Sequence, residues 1–325
     1  MTTATAERTF GQAQQYESRR WRTMRRLLRK KVATVAIAYL LLFYTAGLLA
    51  PLAATHDPNE IHLSQDQIRQ PPSLDHWLGT DHLGRDLYSR VVYAARTTIL
   101  FTLAVIMTGG VFLGLGLGLL AGYKGGWADA AIMRVGEVLA GLPTLLLMLA
   151  IAAAFRTRIN DLSFWLQDHT FLGSEAGTLL KFLIVVGATV PFAWIGSSRV
   201  VRSQALAIRE TDYILAAESV GATTWRIITR HVLPGVLPIF IVGLSGGMAA
   251  IAGAEVALSW LGLGIDPPGA SFGSLIREAG PSPQSFRQTP HLLLVSATPV
   301  VLFFFAWNLL GDALVDLIEP RTSRR

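Results

Sequence analysis

The chain has 325 residues, of which 51% are hydrophobic and only 15% are charged, and its formal net charge is +6. Because a soluble domain carries roughly 25% charged residues, this composition excludes an ordinary soluble protein, and its high apolar content excludes a disordered one. The sequence contains no cysteine, which excludes a disulfide framework, cysteine-ligated zinc and a thiol nucleophile.

The positive charge lies in an N-terminal tail. Residues 1–31 contain nine Lys or Arg and two Glu, so the tail carries +7 and the remaining chain carries −1. A basic tail beside a long apolar segment is typical of the cytoplasmic face of a membrane. We do not predict nucleic-acid binding, which usually needs a basic face on a folded domain.

Six apolar segments are long enough to cross the hydrocarbon core, which takes about 20 helical residues. They lack the alternating polar positions of a membrane barrel, so their backbone groups must be satisfied within helices. The sequence therefore predicts an all-α, polytopic membrane protein with about six transmembrane helices. The predicted spans are 32–54, 97–123, 133–154, 178–198, a segment within 232–265, and 291–310.

Basic residues predict the orientation of these spans. Six spans place both termini on one side, and with the N-terminus inside, 19 of the 28 Lys and Arg residues are cytoplasmic. The first span is too long for the apolar region of a signal peptide, so we expect it to be retained as an anchor. Pro143 and Pro191 predict kinks in spans three and four.

Glycine recurs every four residues in the second span, at Gly110, Gly114, Gly118 and Gly122. This spacing predicts one helix face of small residues, which lets a neighbouring backbone come close. Two interpretations remain open: a tightly packed structural contact, and a surface along which helices glide during conformational change.

Three short motifs resemble enzyme sites but lack the secondary-structure context that such sites require. A GxGxxA match at 116–121 lies inside a span rather than after a strand, and two GxSxG matches, which contain Ser245 and Ser271, lack a strand–turn–helix context. The histidines form no HxxxH pair, so no metal site is predicted. No lysine precedes Ser or Thr, so there is no Walker A sequence, and any ATP-driven work requires another chain.

The loop between spans four and five predicts two helices and a glycine turn. Thr211 or Asp212 can cap the first helix, Gly221 can end it in the left-handed conformation, and Thr223 or Thr224 can cap a second helix that runs to residue 230. The centre of the first helix is small, which fits docking in a groove. A helix that lies on the membrane surface is the other interpretation.

This loop carries a family resemblance. The segment YILAAESVGATTWRIITRHVLP resembles the cytoplasmic EAA loop of ABC importer permeases, which docks on the ATPase subunits. The chain departs from the family pattern at Leu215, where Glu is expected, and Glu218 lies one turn further along as a candidate replacement. The positions that the resemblance assigns to ATPase coupling are Leu215, Ala216, Ala217, Glu218, Gly221, Leu233 and Pro234.

Four further segments resemble the dipeptide, oligopeptide and nickel branch of this family, and its C-type subunit in particular. They are WLGTDHLGRDLYSRVVYAAR, AGYKGGWADAAIMR, LSWLGLGIDPPGASFG and NLLGDALVDLIEPR. The resemblance implies the type I (MetI-like) permease fold. It divides the chain into a cytoplasmic tail (1–31), a first transmembrane helix with an external segment (32–96), a transmembrane domain (97–317) with its coupling loop (199–231), and a cytoplasmic C-terminal tail (318–325).

The resemblance implies a non-enzymatic permease subunit without a cofactor, in the plasma (inner) membrane of a prokaryote. Its expected partners are a homologous permease subunit, ABC ATPase subunits, an external solute-binding protein and the lipid bilayer. The alternative is an ion-coupled secondary transporter, which favours paired acids within the membrane. Glu255 is the single acid of the fifth span, and we interpret it either as a pathway or gate residue or as a buried acid hydrogen-bonded between helices.

Overall fold

The computed structural model describes residues 30–64, 66–169, 175–265, 269–280 and 287–318. The predicted tail 1–31 lies outside these residues except for its last two positions, and the tail 318–325 lies outside them except for its first. Regular structure in the described ranges is helical, apart from one isolated bridge between Thr80 and Asp86. The helices are α1 (Lys31–Leu48), α2 (Ala50–Ala53), α3 (Leu87–Val105), α4 (Gly116–Lys124), α5 (Gly126–Ala140), α6 (Thr144–His169), α7 (Glu175–Arg209), α8 (Asp212–Ser219), α9 (Thr224–Ile227), α10 (Leu233–Trp260), α11 (Phe272–Ala279) and α12 (Pro290–Ile318).

The predicted all-α membrane architecture is confirmed. Within the described residues, five helices are long and apolar enough to span a membrane, and the count is six if the bent pair α5–α6 forms one span. The spanning helices are Lys31–Leu48, Leu87–Lys124, Gly177–Arg209, Thr224–Trp260 and Pro290–Asp316.

The third span bends more sharply than the kink predicted at Pro143. The chain turns by 88° between α5 and α6, so two helices replace the single segment expected at 133–154. Pro143 lies in this turn, and it lacks a backbone N–H and disfavours helical geometry in the residue before it. Pro191, by contrast, lies inside α7 without ending it.

Two π-helical segments join helices into longer ones. Ile106–Leu115 connects α3 to α4, and Ile228–Val232 connects α9 to α10. The second short helix of the loop was predicted to end near residue 230, and that is wrong, because α9 runs on into the fifth span through Pro234 and Pro238. Pro234 is tolerated because it lies at the start of α10, where the preceding π turn already changes the hydrogen-bond pattern.

Helix α7 lies centrally and packs against α4, α6 and α10. An aromatic core joins α1 to the C-terminal half, where the Phe43 ring lies 4.7 Å from Phe303 and 6.0 Å from Phe272, measured between centroids. A second core, between α4, α7 and α10, buries Ile214 of α8. We call the end of the bundle that carries α8 the Glu218 face, and the opposite end, which carries residues 55–86 and α11, the Asp81 face.

Candidate functional site

The glycine turn after α8 has the hydrogen bonds that end a helix in the left-handed conformation. Gly221 has φ +81°, its N–H donates to the carbonyl of Glu218 at 2.9 Å, and the N–H of Ala222 donates to the carbonyl of Ala217 at 3.0 Å. These two bonds form the Schellman motif. The Thr223 hydroxyl then accepts from the N–H of Arg226 and caps α9. The predicted succession of helix, glycine turn and capped second helix is therefore present, but the predicted cap of α8 is not: Thr211 is its N-cap residue, and its hydroxyl donates to the carbonyl of Ile208 instead.

The two sides of α8 differ in exposure. Ile214 is fully buried against α7 and α10, and Ala217 packs on the same cluster. Ala216 is exposed, and so are four large apolar side chains of the loop: Tyr213 (52%), Leu215 (51%), Val220 (84%) and Trp225 (75%). An exposed apolar surface of this kind marks an interaction site. We call these four residues with Ala216 the loop surface.

Glu218 is an exposed residue of α8 whose carboxylate contacts the bundle. The hydroxyl of Tyr123, at the end of α4, donates to Glu218 Oε1 at 2.9 Å, and the Arg209 guanidinium lies 5.8 Å from the centre of the Tyr123 ring. The first contact holds α8 to the end of α4, and the second joins the ends of α4 and α7. Leu233 and Pro234 lie at the start of α10, where the loop enters the span.

Glycines of the second span lie directly against α7. A Cβ added to Gly114, Gly118 or Gly122 would meet side chains or backbone of α7 within 3 Å. The facing residues are Ser197, Val201 and Ala205, which are also four apart.

One predicted member of this glycine face lies elsewhere. Gly110 faces Leu244 of α10, and Gly109 takes the next place in the row, where an added Cβ would lie 2.7 Å from the Cβ of Ala193. The π-helical segment causes this shift. Each π turn holds more residues than an α turn, so Gly109 and Gly114 lie on the same face although they are five positions apart rather than four.

Comparisons with known proteins agree with this geometry. Residues 114–324 match the family described as "Binding-protein-dependent transport system inner membrane component", and residues 18–72 match the "N-terminal TM domain of oligopeptide transport permease C". The chain belongs to the binding-protein-dependent permease family. The resemblance of its loop and flanking motifs to ABC importer permeases is thereby confirmed.

Three relatives are similar over nearly the whole permease. The dipeptide transport system permease protein DppC of Bacillus subtilis is 34% identical over 92% of this chain and 85% of its own length. The glutathione transport system permease protein GsiD of Pectobacterium atrosepticum is 34% identical over 93% of this chain and 91% of its own length. The oligopeptide transport system permease protein OppC of Mycobacterium bovis is 32% identical over 96% and 98%.

Glu255 of the permease is fully buried in α10. The Ser259 hydroxyl donates to Glu255 Oε1 at 2.8 Å and accepts from the N–H of Ile265 at 3.0 Å. The acid therefore belongs to a hydrogen-bonded chain that fixes the turn after α10. Both interpretations of Glu255, as a pathway or gate residue and as an interior acid, stay predictions.

The Asp81 face contains an ion network that the sequence did not predict. Arg85 Nε donates to Asp81 at 2.7 Å, and Arg85 and Arg90 each donate to Glu278 of α11 at 2.8 Å. Arg90 also donates to Asp81. The network joins the segment before the second span to the segment between the fifth and sixth, 188 to 193 residues apart.

The charges of this network hold Asp81 ionised. Burial alone raises the pKa of the Asp81 carboxyl, but the charges of Arg90 and Arg85 and two backbone N–H donors outweigh it, so the pKa lies below its ordinary value.

Glycine turns support the same segment. Gly84 has φ +72°, and a Cβ there would lie 2.2 Å from the carbonyl oxygen of His62.

A cavity of about 710 Å³ opens between α3 and α7 near the Asp81 face. Its walls are mostly apolar and include Leu100, Leu103 and Met107 of the second span and Phe182 of α7. Arg96 contributes a positive charge to the lining. Ligand sites of small molecules typically measure 300–1,000 Å³, so the cavity is large enough for a small solute.

Proposed function

We propose that the chain is one permease subunit of an ATP-driven importer that receives peptides from an external solute-binding protein. It would pair with a homologous permease subunit and form half of the translocation pathway. The Glu218 face and both termini would be cytoplasmic, in the plasma membrane of a prokaryote. Relatives named for dipeptide, glutathione and oligopeptide transport support peptides as the substrate class.

The observation that carries this proposal is the loop surface. On α8, Tyr213 and Leu215 are 52% and 51% exposed, and the other side of this helix is held to the bundle by Ile214 and Glu218. The loop surface continues past the end of α8 with Val220 (84% exposed) and with Trp225 (75% exposed) of α9. A rigid helix with an exposed apolar side is suited to docking in a groove of a partner protein. We assign this groove to an ATPase subunit.

The coupling step follows from the contacts of α8. ATP-driven closure of the ATPase subunits would displace α8, and the Tyr123–Glu218 hydrogen bond would transmit the displacement to α4. The glycine contacts between α4 and α7 would carry it into the spans. Such coupling requires that the ATPases bind the inward-open and outward-open states with different free energies.

We place this chain's share of the outer pathway at the cavity between α3 and α7. Its walls rise from the Asp81 face along two spanning helices, and its apolar lining offers few strong contacts to a moving solute. A pathway with few strong contacts needs little selectivity of its own when the binding protein selects the solute.

Two substitutions in the loop test the proposal. Gly221→Val puts a β-branched residue at φ +81°, where side chains are strongly disfavoured, and Ala217→Trp adds bulk between α8 and the bundle. The control is Gly196→Val, because a Cβ at Gly196 meets no atom within 4 Å. We expect all three variants to insert normally. Only the two loop variants should lose ATPase co-purification or coupled uptake.

Vesicle uptake also distinguishes the proposed importer from the alternative, an ion-coupled secondary transporter. Uptake into vesicles by an ATP-driven importer should require ATP and should persist when ionophores collapse the proton and sodium gradients, whereas uptake by an ion-coupled transporter should stop. Normal ATPase binding and uptake by both loop variants would leave the loop as a membrane-surface helix and would favour the ion-coupled transporter.

A further inference from the structure

Three chain segments of the Asp81 face bring two imidazoles and one carboxylate together. His56 follows α2, His76 lies in the loop before the second span, and Asp86 is the N-cap residue of α3. His76 Nδ1 lies 2.9 Å and His56 Nδ1 lies 3.9 Å from Asp86 Oδ1. One ligand atom from each residue lies within 4.8 Å of the others.

Outer contacts hold the carboxylate in place. Asp86 Oδ2 accepts from the N–H of Ser89 at 2.8 Å and from the Thr55 hydroxyl at 3.3 Å, which leaves Oδ1 turned toward the two imidazoles. The N–H of His56 donates to the Ser89 hydroxyl at 3.1 Å. Such outer hydrogen bonds orient metal ligands in proteins.

The charge of this cluster also suits a cation. In the part of the chain that the structure describes, Asp86 forms ion pairs with histidines and with no Lys or Arg. The neighbouring group of Asp81, His82 and Glu278 is similarly compact, but Arg85 and Arg90 already bind both of its carboxylates and would repel a cation.

We propose that His56, His76 and Asp86 bind one Zn²⁺ ion through the two Nδ1 atoms and Oδ1. Two imidazoles and a carboxylate with a fourth position open to water form a common zinc ligand set. Zinc–nitrogen distances of about 2.0–2.1 Å require His56 to close on the other ligands and its Nδ1 to leave the Thr55 hydroxyl, which lies 3.1 Å away. The His56 side chain is 37% exposed, and its ring lies 4.7 Å from the His76 ring, measured between centroids.

The bound ion would join the chain after α2, the loop at His76 and the start of α3. The site therefore acts as a clip on the Asp81 face, beside the ion network that ties the same segment to α11. It requires no transport activity, so its test is independent of the proposed function.

The experiment measures Zn²⁺ binding to the full chain, purified in detergent with the subunits that co-purify. We expect one Zn²⁺ per chain in the wild type, and a rise of the thermal unfolding midpoint when Zn²⁺ is added. The variant His56→Asn/His76→Asn should bind at least ~100-fold more weakly, since even outer-shell changes cost about 10–100-fold. Co²⁺ bound at the site should give a visible tetrahedral spectrum that this variant lacks.

Matched controls are two other histidines of the same face. His62→Asn changes a side chain that is 36% exposed. His82→Asn changes the group of Asp81, His82 and Glu278, whose carboxylates are already paired with arginines. Both should keep wild-type Zn²⁺ affinity, and the single variant His56→Asn should lose it without loss of folding. Absence of Zn²⁺ binding by the wild type, or equal affinity in the double variant, would overturn the proposal.

Discussion

Replacing Gly118 by alanine tests the close contact between α4 and α7. An added Cβ would lie 2.7 Å from the Cβ of Val201 and 2.8 Å from the carbonyl oxygen of Ser198. Carbon atoms pack best at about 3.5–4.0 Å, so the two helices must separate by about 1 Å. The obstacle includes backbone, which cannot rotate away as a flexible side chain can.

Gly116→Ala is the matched control for this change. It lies two residues away in the same helix, and a Cβ there meets no atom within 4 Å. Both substitutions gain the same helix propensity, roughly 1 kcal/mol, so their difference isolates the packing contact. Overpacking of a tight contact costs about 1–3 kcal/mol, and we expect Gly118→Ala to be less stable than Gly116→Ala by that amount.

The assay is thermal unfolding of the detergent-purified chain, read from tryptophan fluorescence, with uptake measured in vesicles. Gly118→Ala should have the lower unfolding midpoint and the lower uptake of the two variants. Equal midpoints would show that the α4–α7 contact tolerates a methyl group, and the argument from glycine spacing would be refuted.

Three further predictions concern the charge network, the cavity and the orientation. Asp81→Asn should destabilise the protein by about 3–5 kcal/mol near neutral pH, because two buried arginines lose a partner. The wild type holds this stability above the ordinary carboxyl pKa and loses it as pH falls below about 4, whereas the variant's unfolding midpoint should lack that acid dependence. Ala104→Trp should fill the outer cavity and lower uptake while ATPase co-purification stays normal. Ser73→Cys should react with an impermeant thiol reagent in intact cells and Thr224→Cys only after permeabilisation, and the reverse pattern would contradict the orientation.

The sequence predicted those parts of the fold that local chemistry determines. Long apolar segments specify membrane helices, and Gly221 between α8 and the Thr223-capped α9 specifies the turn of the loop. The bend at Pro143 was predicted only as a kink, because a proline indicates where a helix is disturbed and not by how much. The π turn before Gly114 had no recognised sequence signal, so Gly110 was assigned to a face that Gly109 occupies.

Contacts distant in sequence account for the remaining differences. Arg85 and Glu278 are 193 residues apart, and a single sequence gives no sign that they meet. The histidine spacing predicted no metal site, because His56, His76 and Asp86 are 10 to 30 residues apart and meet only through the folding of the external segment. The loop was accessible from sequence because its helices, caps and turn are contiguous.

The most direct test of the central claim is site-specific photo-crosslinking from the loop surface in intact membranes. A photoreactive residue at Leu215, which is 51% exposed on α8, should crosslink to an ATPase subunit. The control position is Leu74, which is 95% exposed on the Asp81 face and should give no such product. An ATPase crosslink from Leu215 alone is the result that docking on α8 predicts, whereas its absence, or an equal crosslink from Leu74, would contradict it.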